Sequence, residues 1–212
     1  AALAEVITRW SGHAAMAIQL EYHGRAETDG HLDLSRTVGW LTALFPVIIR
    51  GNSSGSVDDL LKDTKEVLRA IPNEGVGYGL SREHSTLPYQ KSKLQIRFNY
   101  LGQADQLFGA KALFGRAEES SGIARHGEDP RDVVFELNAL VSGGKLKVYW
   151  IYASELHQEQ TIQKLATDYE RSILHLLDHC LNPESGSGYT ESEFPLMDFA
   201  PGELDDLLQE LD

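Results

Sequence analysis

Residues 133–153 read VVFELNALVSGGKLKVYWIYA. Two runs rich in β-branched and aromatic residues flank Gly143-Gly144, a pair typical of the tight turn in a β-hairpin. A longer run follows at about 158–181, where apolar residues recur at the spacing of one helix face. This face is expected to be buried and to include Leu177 and Cys180. A hairpin that leads into a long amphipathic helix predicts a sheet covered by helices.

Three further strands are predicted before this hairpin. Residues 14–22 and 93–102 alternate between apolar and polar side chains, and the run LFPVIIR at 44–50 is rich in β-branched residues. Alternation places Glu21 on the polar face of the first of these strands, close to its end.

Two helices are predicted in the same part of the chain, at 2–10 and 56–71. Ser56 and Asp59 fit a capping pair at the start of the second helix. The glycine-rich run at 72–79 is expected to form a close-packed loop. Strands mixed with helices favour an α/β fold, a two-layer sandwich with a mixed sheet and flanking helices.

The composition predicts a main domain at 1–182, followed by a linker and an acidic amphipathic helix at 183–212. The linker is the run PESGSG at 183–188, and the helix is the run ELDDLLQELD at 203–212. The first ten residues read as a helix entered partway along, which indicates that this chain belongs to something longer.

Charge and composition exclude several classes of function. The formal net charge is −13, from 19 Lys and Arg against 32 Asp and Glu, and no dense basic stripe offsets it, so nucleic acid is not an expected partner. The single cysteine, Cys180, cannot form an internal disulfide. No apolar run approaches the roughly 20 residues of a membrane helix, and no signal peptide is recognisable, so the expected location is the cytoplasm.

The common short motifs of catalysis and metal binding give little support to any function. The run GVGYG at 75–79 follows a predicted helix, whereas a dinucleotide loop follows a strand. His175 and His179 have the spacing of a metal pair, but a capping role near the helix C-terminus is favoured, and no metal is expected. The sequence has no GxSxG, HExxH or CxxC motif.

The run LEYHGR at 20–25 has two interpretations. Most glutamates are solvated, so Glu21 beside His23 and Arg25 is by local sequence an ordinary surface charge. Alternatively, Glu21 faces a crevice in which desolvation raises its pKa and suits it to proton transfer. The local sequence does not decide between the two.

Four segments, taken in order, favour the second interpretation. Together they resemble the successive signature motifs of the epimerization domains of nonribosomal peptide synthetases. The segments are EYHGRA (21–26), SRTVGWLTALFP (35–46), PNEGVGYG (72–79) and FNYLGQAD (98–105). The family's corresponding patterns are approximately EGHGRE, RTVGWFTxxYP, PxxGxGYG and FNYLGQFD.

The resemblance implies a chloramphenicol-acetyltransferase-like fold in which two lobes surround a tunnel, and these motifs belong to the C-terminal lobe. The family's HHxxxDG motif lies in the N-terminal lobe, and no HH pair occurs in this sequence. The implied partners are that N-terminal lobe and a peptidyl carrier protein. The isolated fragment is expected to be inactive.

The implied reaction inverts Cα of an aminoacyl or peptidyl thioester by general acid/base proton transfer. The carrier's phosphopantetheine arm delivers the substrate, and no intrinsic cofactor is expected. Glu21 matches the motif carboxylate and is predicted to be an acid/base group. Tyr100 is predicted to donate a proton or a hydrogen bond near the reacting centre, and Asn99 to support the loop or the substrate. Alternation puts Asn99 and Tyr100 on opposite faces, so both reach the tunnel only where the strand ends or bulges.

Supporting roles are implied for other motif residues. Gly24 is expected to permit a tight backbone path and Arg25 to form a structural salt bridge, whereas His23 receives no catalytic role. Thr37 and Trp40 are expected to shape the tunnel wall or the contact between the lobes, the alternative for Trp40 being a place in the core.

Two departures from the motif leave other functions open. Tyr22 stands where the family usually has glycine, and Ala26 replaces the usual acid. One alternative is therefore a catalytically degenerate scaffold lobe that binds a carrier protein, and another is a condensation domain that forms peptide bonds. The tail at 192–212 resembles the C-terminal extension of these domains, which in some members carries a short helix that docks onto a downstream synthetase. Its acidity suits a basic partner, and the alternative is an unstructured linker.

Overall fold

The computed structural model describes residues 1–25, 33–52, 55–84, 94–106, 129–182 and 189–194, together with residues 117, 119, 120, 122 and 126. The helices are α1 (Ala2–Ser11), α2 (Val57–Arg69), α3 (Val76–His84) and α4 (Glu159–Leu181). The strands are β1 (Ala15–Tyr22), β2 (Ala43–Arg50), β3 (Ile96–Gln103), β4 (Phe135–Ser142) and β5 (Lys145–Tyr152). Short 3₁₀ turns cover Pro72–Gly75, Ala104–Gln106 and Glu191–Glu193.

The strands form one five-stranded sheet in the order β2-β1-β3-β4-β5. β1 runs parallel to β3, β3 runs parallel to β4, and β4 pairs with β5 in antiparallel fashion. The predicted mixed sheet is therefore confirmed. Pro46, which lacks an amide hydrogen, lies inside β2, the strand at one end of this order, where a proline is tolerated.

The hairpin predicted around Gly143-Gly144 is confirmed. Both glycines have positive φ angles, 64° and 66°, as a tight two-residue turn between twisted strands requires. The carboxylate of Asp105 accepts hydrogen bonds from both amides, at 2.7 Å from Gly143 and 3.0 Å from Gly144. These bonds, with the Gly144 contact the larger cause, lower the pKa of Asp105. Asp105, the last residue of the FNYLGQAD segment, thus stabilises the turn.

Replacing Asp105 by asparagine should lower the melting temperature at neutral pH, because an amide offers one acceptor oxygen where the carboxylate offers two. A depressed pKa stabilises the folded chain above the ordinary aspartate pKa of about 3.9, and this stabilisation is lost as the pH falls through the folded value. Thermal melts of wild type and D105N should therefore converge in acid. D63N, at an exposed position of α2, serves as the control, and a D105N melting temperature equal to that of D63N would contradict this role.

Contacts divide the chain into two compact units. The first contains the described residues of Ala1–Ala17, Val47–Glu74 and Gln160–Asp212, and the second contains those of Ile18–Pro46 and Gly75–Glu159. The second unit includes most of the sheet, and its core contains Ile18, Ile96, Phe135, Leu137 and Ala139.

The first unit contains α1, α2 and α4. α1 ends where predicted, at Gly12, which follows the last helical residue Ser11 and whose φ of 75° allows its amide to bond the Thr8 carbonyl. α2 is capped as predicted, with the Ser56 hydroxyl accepting from the Asp59 amide at 3.2 Å. On α4, Leu177 and Cys180 are exposed, so the prediction that they lie on the buried face was wrong.

Residues 189–194 are held against α2 by an ionic network. Glu193 accepts from Lys65 at 2.7 Å and from Arg69 at 2.9 Å, and Arg69 also donates to Thr190 at 2.8 Å. The bond from Arg69 is the main reason that the pKa of Glu193 falls to about 2. The predicted linker at 183–188 and helix at 203–212 lie outside the described residues, so the predicted boundary at residue 182 stays a prediction.

The prediction of a loop at 72–79 was wrong, because α3 begins at Val76 and includes Gly77 and Gly79. Each glycine costs a helix roughly 1 kcal/mol relative to alanine, so the composition of this segment did not favour a helix. The close packing predicted for this segment is present at Gly75. Its φ is 78°, and a Cβ atom there would lie 1.9 Å from the ring of Phe45.

Candidate active site

A pocket of about 430 Å³ lies in the second unit, where β1 and β3 end side by side. Its wall combines a carboxylate, an amide, a hydroxyl and several aromatic rings, and its volume falls in the range of small-molecule sites. The lining residues are Glu21, Tyr22, His23, Trp40, Thr42, Asn99, Tyr100, Leu101 and Gly102. Five of the predicted site residues are thus brought together here: Glu21, His23, Trp40, Asn99 and Tyr100.

Glu21 is positioned by β1 and is largely withdrawn from solvent, with 17% of its side chain exposed. Its Oε1 lies 3.8 Å from Nε of Arg97. Burial raises the pKa of Glu21, the Arg97 guanidinium opposes this rise, and the carboxylate of Glu136 reinforces it. A carboxyl group whose pKa lies above its usual range is better matched to proton transfer near neutral pH.

The polar face of the sheet continues away from Glu21 across three strands. Gln19 of β1 pairs in register with Arg97 of β3, which pairs in turn with Glu136 of β4. Arg97 donates from Nε to Oε1 of Gln19 at 2.8 Å. Asn99, two residues beyond Arg97 on β3, pairs with Asn138 of β4. Side chains two residues apart share a face of a strand, so the predicted polar faces of β1 and β3 coincide.

Asn99 and Tyr100 both line the pocket although they are consecutive on β3. The pairing of β3 with β4 shifts by one residue between Tyr100 and Gln103, and Gly102 in this interval has a φ of 77°. A bulge at a strand end re-aims side chains in this way. This is the irregularity that would let both residues reach one site. Tyr100 keeps about half of its surface exposed.

Tyr22 and His23 form one rim of the pocket. Their rings are tilted against each other with centroids 4.5 Å apart. Nδ1 of His23 accepts a hydrogen bond from the amide of Arg25 at 3.0 Å, which fixes the turn that leaves β1. Tyr22 thus occupies the pocket wall at the position where the motif usually has glycine, and Ala26 lies outside the described residues.

The Arg25 guanidinium binds the loop that follows. It donates to the carbonyls of Leu34 at 3.0 Å, Thr37 at 2.9 Å and Gly39 at 3.4 Å. These partners among the described residues are backbone carbonyls, and the predicted salt bridge of Arg25 stays a prediction. Thr37 is exposed and takes part through its carbonyl.

Gly24 permits the tight backbone path predicted for it. Its φ is 64°, and a Cβ atom built on it would lie 1.6 Å from the carbonyl oxygen of Leu41. No side chain fits between these two backbone segments. Gly24 therefore sets the distance between the end of β1 and the segment that carries Trp40 and Thr42 into the pocket wall.

Trp40 is 88% exposed, so the alternative that placed it in the core is wrong. The neighbouring Val38 is 99% exposed. The loop that Arg25 holds thus presents two bare apolar side chains, one of which lines the pocket. The predicted role of Thr37 and Trp40 in the tunnel wall or the lobe contact stays a prediction.

Sequence reasoning missed Arg97, Thr42 and Leu101 as members or neighbours of the site. The alternation predicted over residues 93–102 puts Arg97 on the polar face of β3, but no local signal shows that β3 lies beside β1 rather than elsewhere in the sheet. Within the described residues, no three His, Cys, Asp or Glu side chains group together as metal ligands, and His175 and His179 join no such group. None of the helices in that part of the chain has the length and apolar character needed to cross a bilayer.

Comparison with known proteins identifies the family. The family model described as "Condensation domain" matches residues 1–194. The chain is 42% identical over 202 residues to a linear gramicidin synthase of Brevibacillus parabrevis, a match that covers 92% of this chain and 3% of that protein. The chain thus spans a small part of the curated relative it matches.

Two solved structures share the fold. The epimerization domain from the third module of tyrocidine synthetase B matches with a TM-score of 0.75 and 30% identity, over 85% of this chain and 41% of that one. The starter condensation domain of rhizomide synthetase RzmA matches with a TM-score of 0.52 and 11% identity, over 84% of this chain and 40% of that one, and this likeness concerns the fold alone. The predicted chloramphenicol-acetyltransferase-like α/β fold is confirmed, and the chain belongs to the condensation domain family.

Proposed function

We propose that this chain supplies the C-terminal half of the site of an epimerization domain in nonribosomal peptide synthesis. The reaction interconverts the L and D configurations at Cα of an aminoacyl or peptidyl group. The substrate is a thioester on the phosphopantetheine arm of a peptidyl carrier protein. The observation that carries the proposal is the largely buried Glu21, with its raised pKa, in one pocket wall with Asn99 and Tyr100.

The chemical difficulty is the weak acidity of the Cα–H bond, which the neighbouring thioester carbonyl increases. Removing this proton places negative charge on the carbonyl oxygen, so the site needs both a base and a hydrogen-bond donor. In this proposal Glu21 accepts or returns the Cα proton. The Tyr100 hydroxyl donates to the developing oxyanion, and the Asn99 amide orients the substrate or the strand end.

Inversion needs a second acid/base group on the opposite face of Cα. The motif resemblance assigns that role to a histidine of the HHxxxDG motif, which this sequence does not contain. The other half of the site would then come from an N-terminal lobe. Further proposed partners are the carrier protein and, through the acidic tail, a downstream synthetase. The similarity to the tyrocidine synthetase epimerization domain supports this arrangement.

The experiment that tests the proposal uses the complete protein that carries this chain. It is incubated in D₂O with a carrier protein loaded with an L-aminoacyl thioester, and the released amino acid is analysed by mass spectrometry and chiral chromatography. Deuterium at Cα together with D-product is the expected result. If the loaded carrier binds tightly but neither deuterium at Cα nor D-product is found, the chain belongs instead to a scaffold that binds without catalysis.

A second candidate is peptide-bond formation, which the match to the condensation domain model favours. A condensation site deprotonates the attacking amine of an acceptor thioester and leaves Cα of the donor unchanged. Adding a carrier loaded with an acceptor amino acid separates the two reactions. Amide product without Cα deuterium would replace epimerization by condensation.

A further inference from the structure

Among the described residues, the guanidinium of Arg97 lies near the carboxylates of Glu21 and Asp132 and on the same strand register as Glu136. Arg97 of β3 lies 3.8 Å from Glu21, measured from Nε to Oε1, and 3.7 Å from Asp132, measured from NH2 to Oδ2. Glu136 of β4 pairs in register with Arg97. The side chain of Arg97 is 12% exposed, so these charges interact with less solvent screening than surface pairs do.

Arg97 is held in place by contacts with residues other than Glu21. Its Nε donates to Oε1 of Gln19 at 2.8 Å, and its outer nitrogen lies near Asp132. Asp132 keeps 75% of its side chain exposed, so this outer pair contributes little by itself. The hydrogen bond to Gln19 therefore sets the place of the guanidinium, and Glu21 lies beside a positive charge that is already in position.

The distance from Arg97 to Glu21 suits a base better than a shorter contact would. At 3.8 Å the guanidinium lies beyond hydrogen-bond distance, so it stabilises the carboxylate by charge without occupying an oxygen lone pair. An oxygen of Glu21 therefore stays available for a proton arriving from the pocket. A direct bidentate pair would compete with that proton for the same lone pairs.

The neighbouring charges act on Glu21 in opposite directions. Burial raises the pKa of Glu21, Arg97 lowers it, and Glu136 raises it further. Nδ2 of Asn138 donates to Oε1 of Glu136 at 3.3 Å, which holds that carboxylate on the same face. The titratable side chains of the pocket wall beside Glu21 are Tyr22, His23 and Tyr100.

We propose that Arg97 is a positioning residue of this site, which keeps the Glu21 carboxylate ionised and ready to accept a proton, with Glu136 acting against it. This inference rests on the proposed function, because an ionised Glu21 matters only if that group takes the Cα proton. Arg97 itself touches neither the substrate nor the reacting atoms in this arrangement.

The test compares two substitutions with opposite expected effects. Arg97→Gln removes the positive charge and should raise the pKa of Glu21, whereas Glu136→Gln removes a negative charge and should lower it. Glutamate carboxyl carbons labelled with ¹³C are titrated by NMR in this chain, and the Glu21 resonance is identified by its loss in Glu21→Gln. The midpoint of that resonance is the first readout.

The second readout is the pH profile of Cα deuterium exchange in the complete protein. The ionised fraction of a base falls about tenfold for each pH unit below its pKa. The acidic limb should therefore move to higher pH in R97Q, with a rate several-fold below wild type on that limb, and to lower pH in E136Q. R97K keeps the charge and should restore most of the wild-type profile.

Each outcome decides the inference. Loss of a purely structural arginine would lower the melting temperature and the plateau rate but leave the midpoint in place. If the Glu21 titration midpoint stays in place in both R97Q and E136Q, or moves in the same direction in both, Arg97 does not have the proposed role. If R97Q does not fold, the midpoints of E136Q and R97K decide the question. If the Glu21 midpoint shifts in opposite directions in the two variants but the pH profile of deuterium exchange does not follow it, Arg97 does influence Glu21, and the proposed function is rejected.

Discussion

Replacing Glu21 by glutamine should lower the rate of Cα deuterium exchange by at least about 100-fold, the lower end of what a general acid or base contributes. Glutamine has nearly the shape of glutamate and can still accept a hydrogen bond, but it cannot take up a proton at any pH used. The measurement is the initial rate of deuterium incorporation from D₂O at saturating carrier-bound substrate.

The matched control is Glu155→Gln, the same chemical change at an exposed position between β5 and α4 in the same unit. It should retain the wild-type exchange rate. E21Q should also keep the wild-type melting temperature or exceed it at neutral pH, since the substitution removes a carboxylate that burial disfavours. An E21Q rate within a few-fold of E155Q would show that another group moves the proton.

The second large effect is expected for Gly24→Ala. The new Cβ atom would overlap the Leu41 carbonyl oxygen, 1.6 Å away, and would lie 3.3 Å from the amide nitrogen of Ala43. These are backbone atoms, so the segment that carries Trp40 and Thr42 must move. Displacing positioning groups by about 1 Å can cost an active site roughly 100-fold in rate, and we expect a loss of that order.

Gly12→Ala is the control for this prediction. Gly12 has a similarly positive φ of 75°, but nothing lies within 4 Å of a Cβ atom built there. G12A therefore incurs only the cost of a left-handed alanine, about 1–2 kcal/mol, and should leave exchange unaffected. G24A should melt below G12A and lose activity. Equal melting temperatures and equal exchange rates in the two variants would show that Gly24 does not position the pocket wall.

Several patterns that act over a few residues were predicted correctly from the sequence. The alternation in β1 and β3 gave the faces of Gln19, Glu21 and Arg97, because side chains in any strand alternate whatever its neighbours are. The Gly143-Gly144 turn was recognisable because only glycine adopts both left-handed positions without cost. The resemblance to family motifs favoured the interpretation of Glu21 as a residue that faces a crevice, which the local sequence did not decide.

The sequence did not show the contacts between distant segments. The carbonyl partners of Arg25 are nine to fourteen residues away, and their backbone path has no sequence signature. Trp40 was open to a core interpretation because large aromatic residues are usually buried, but its loop faces outward. The parallel pairing of β1 with β3, which brings Arg97 to Glu21, depends on the sheet order and not on either strand alone.

The three carbonyls that Arg25 binds have a consequence for variation among such domains. A carbonyl is the same group whichever side chain its residue bears, so loops of different sequence can follow one path around the guanidinium. Val38 and Trp40 project from that path without shaping it. A substitution at Trp40 would therefore change the lining of the pocket and leave the backbone path around Arg25 in place.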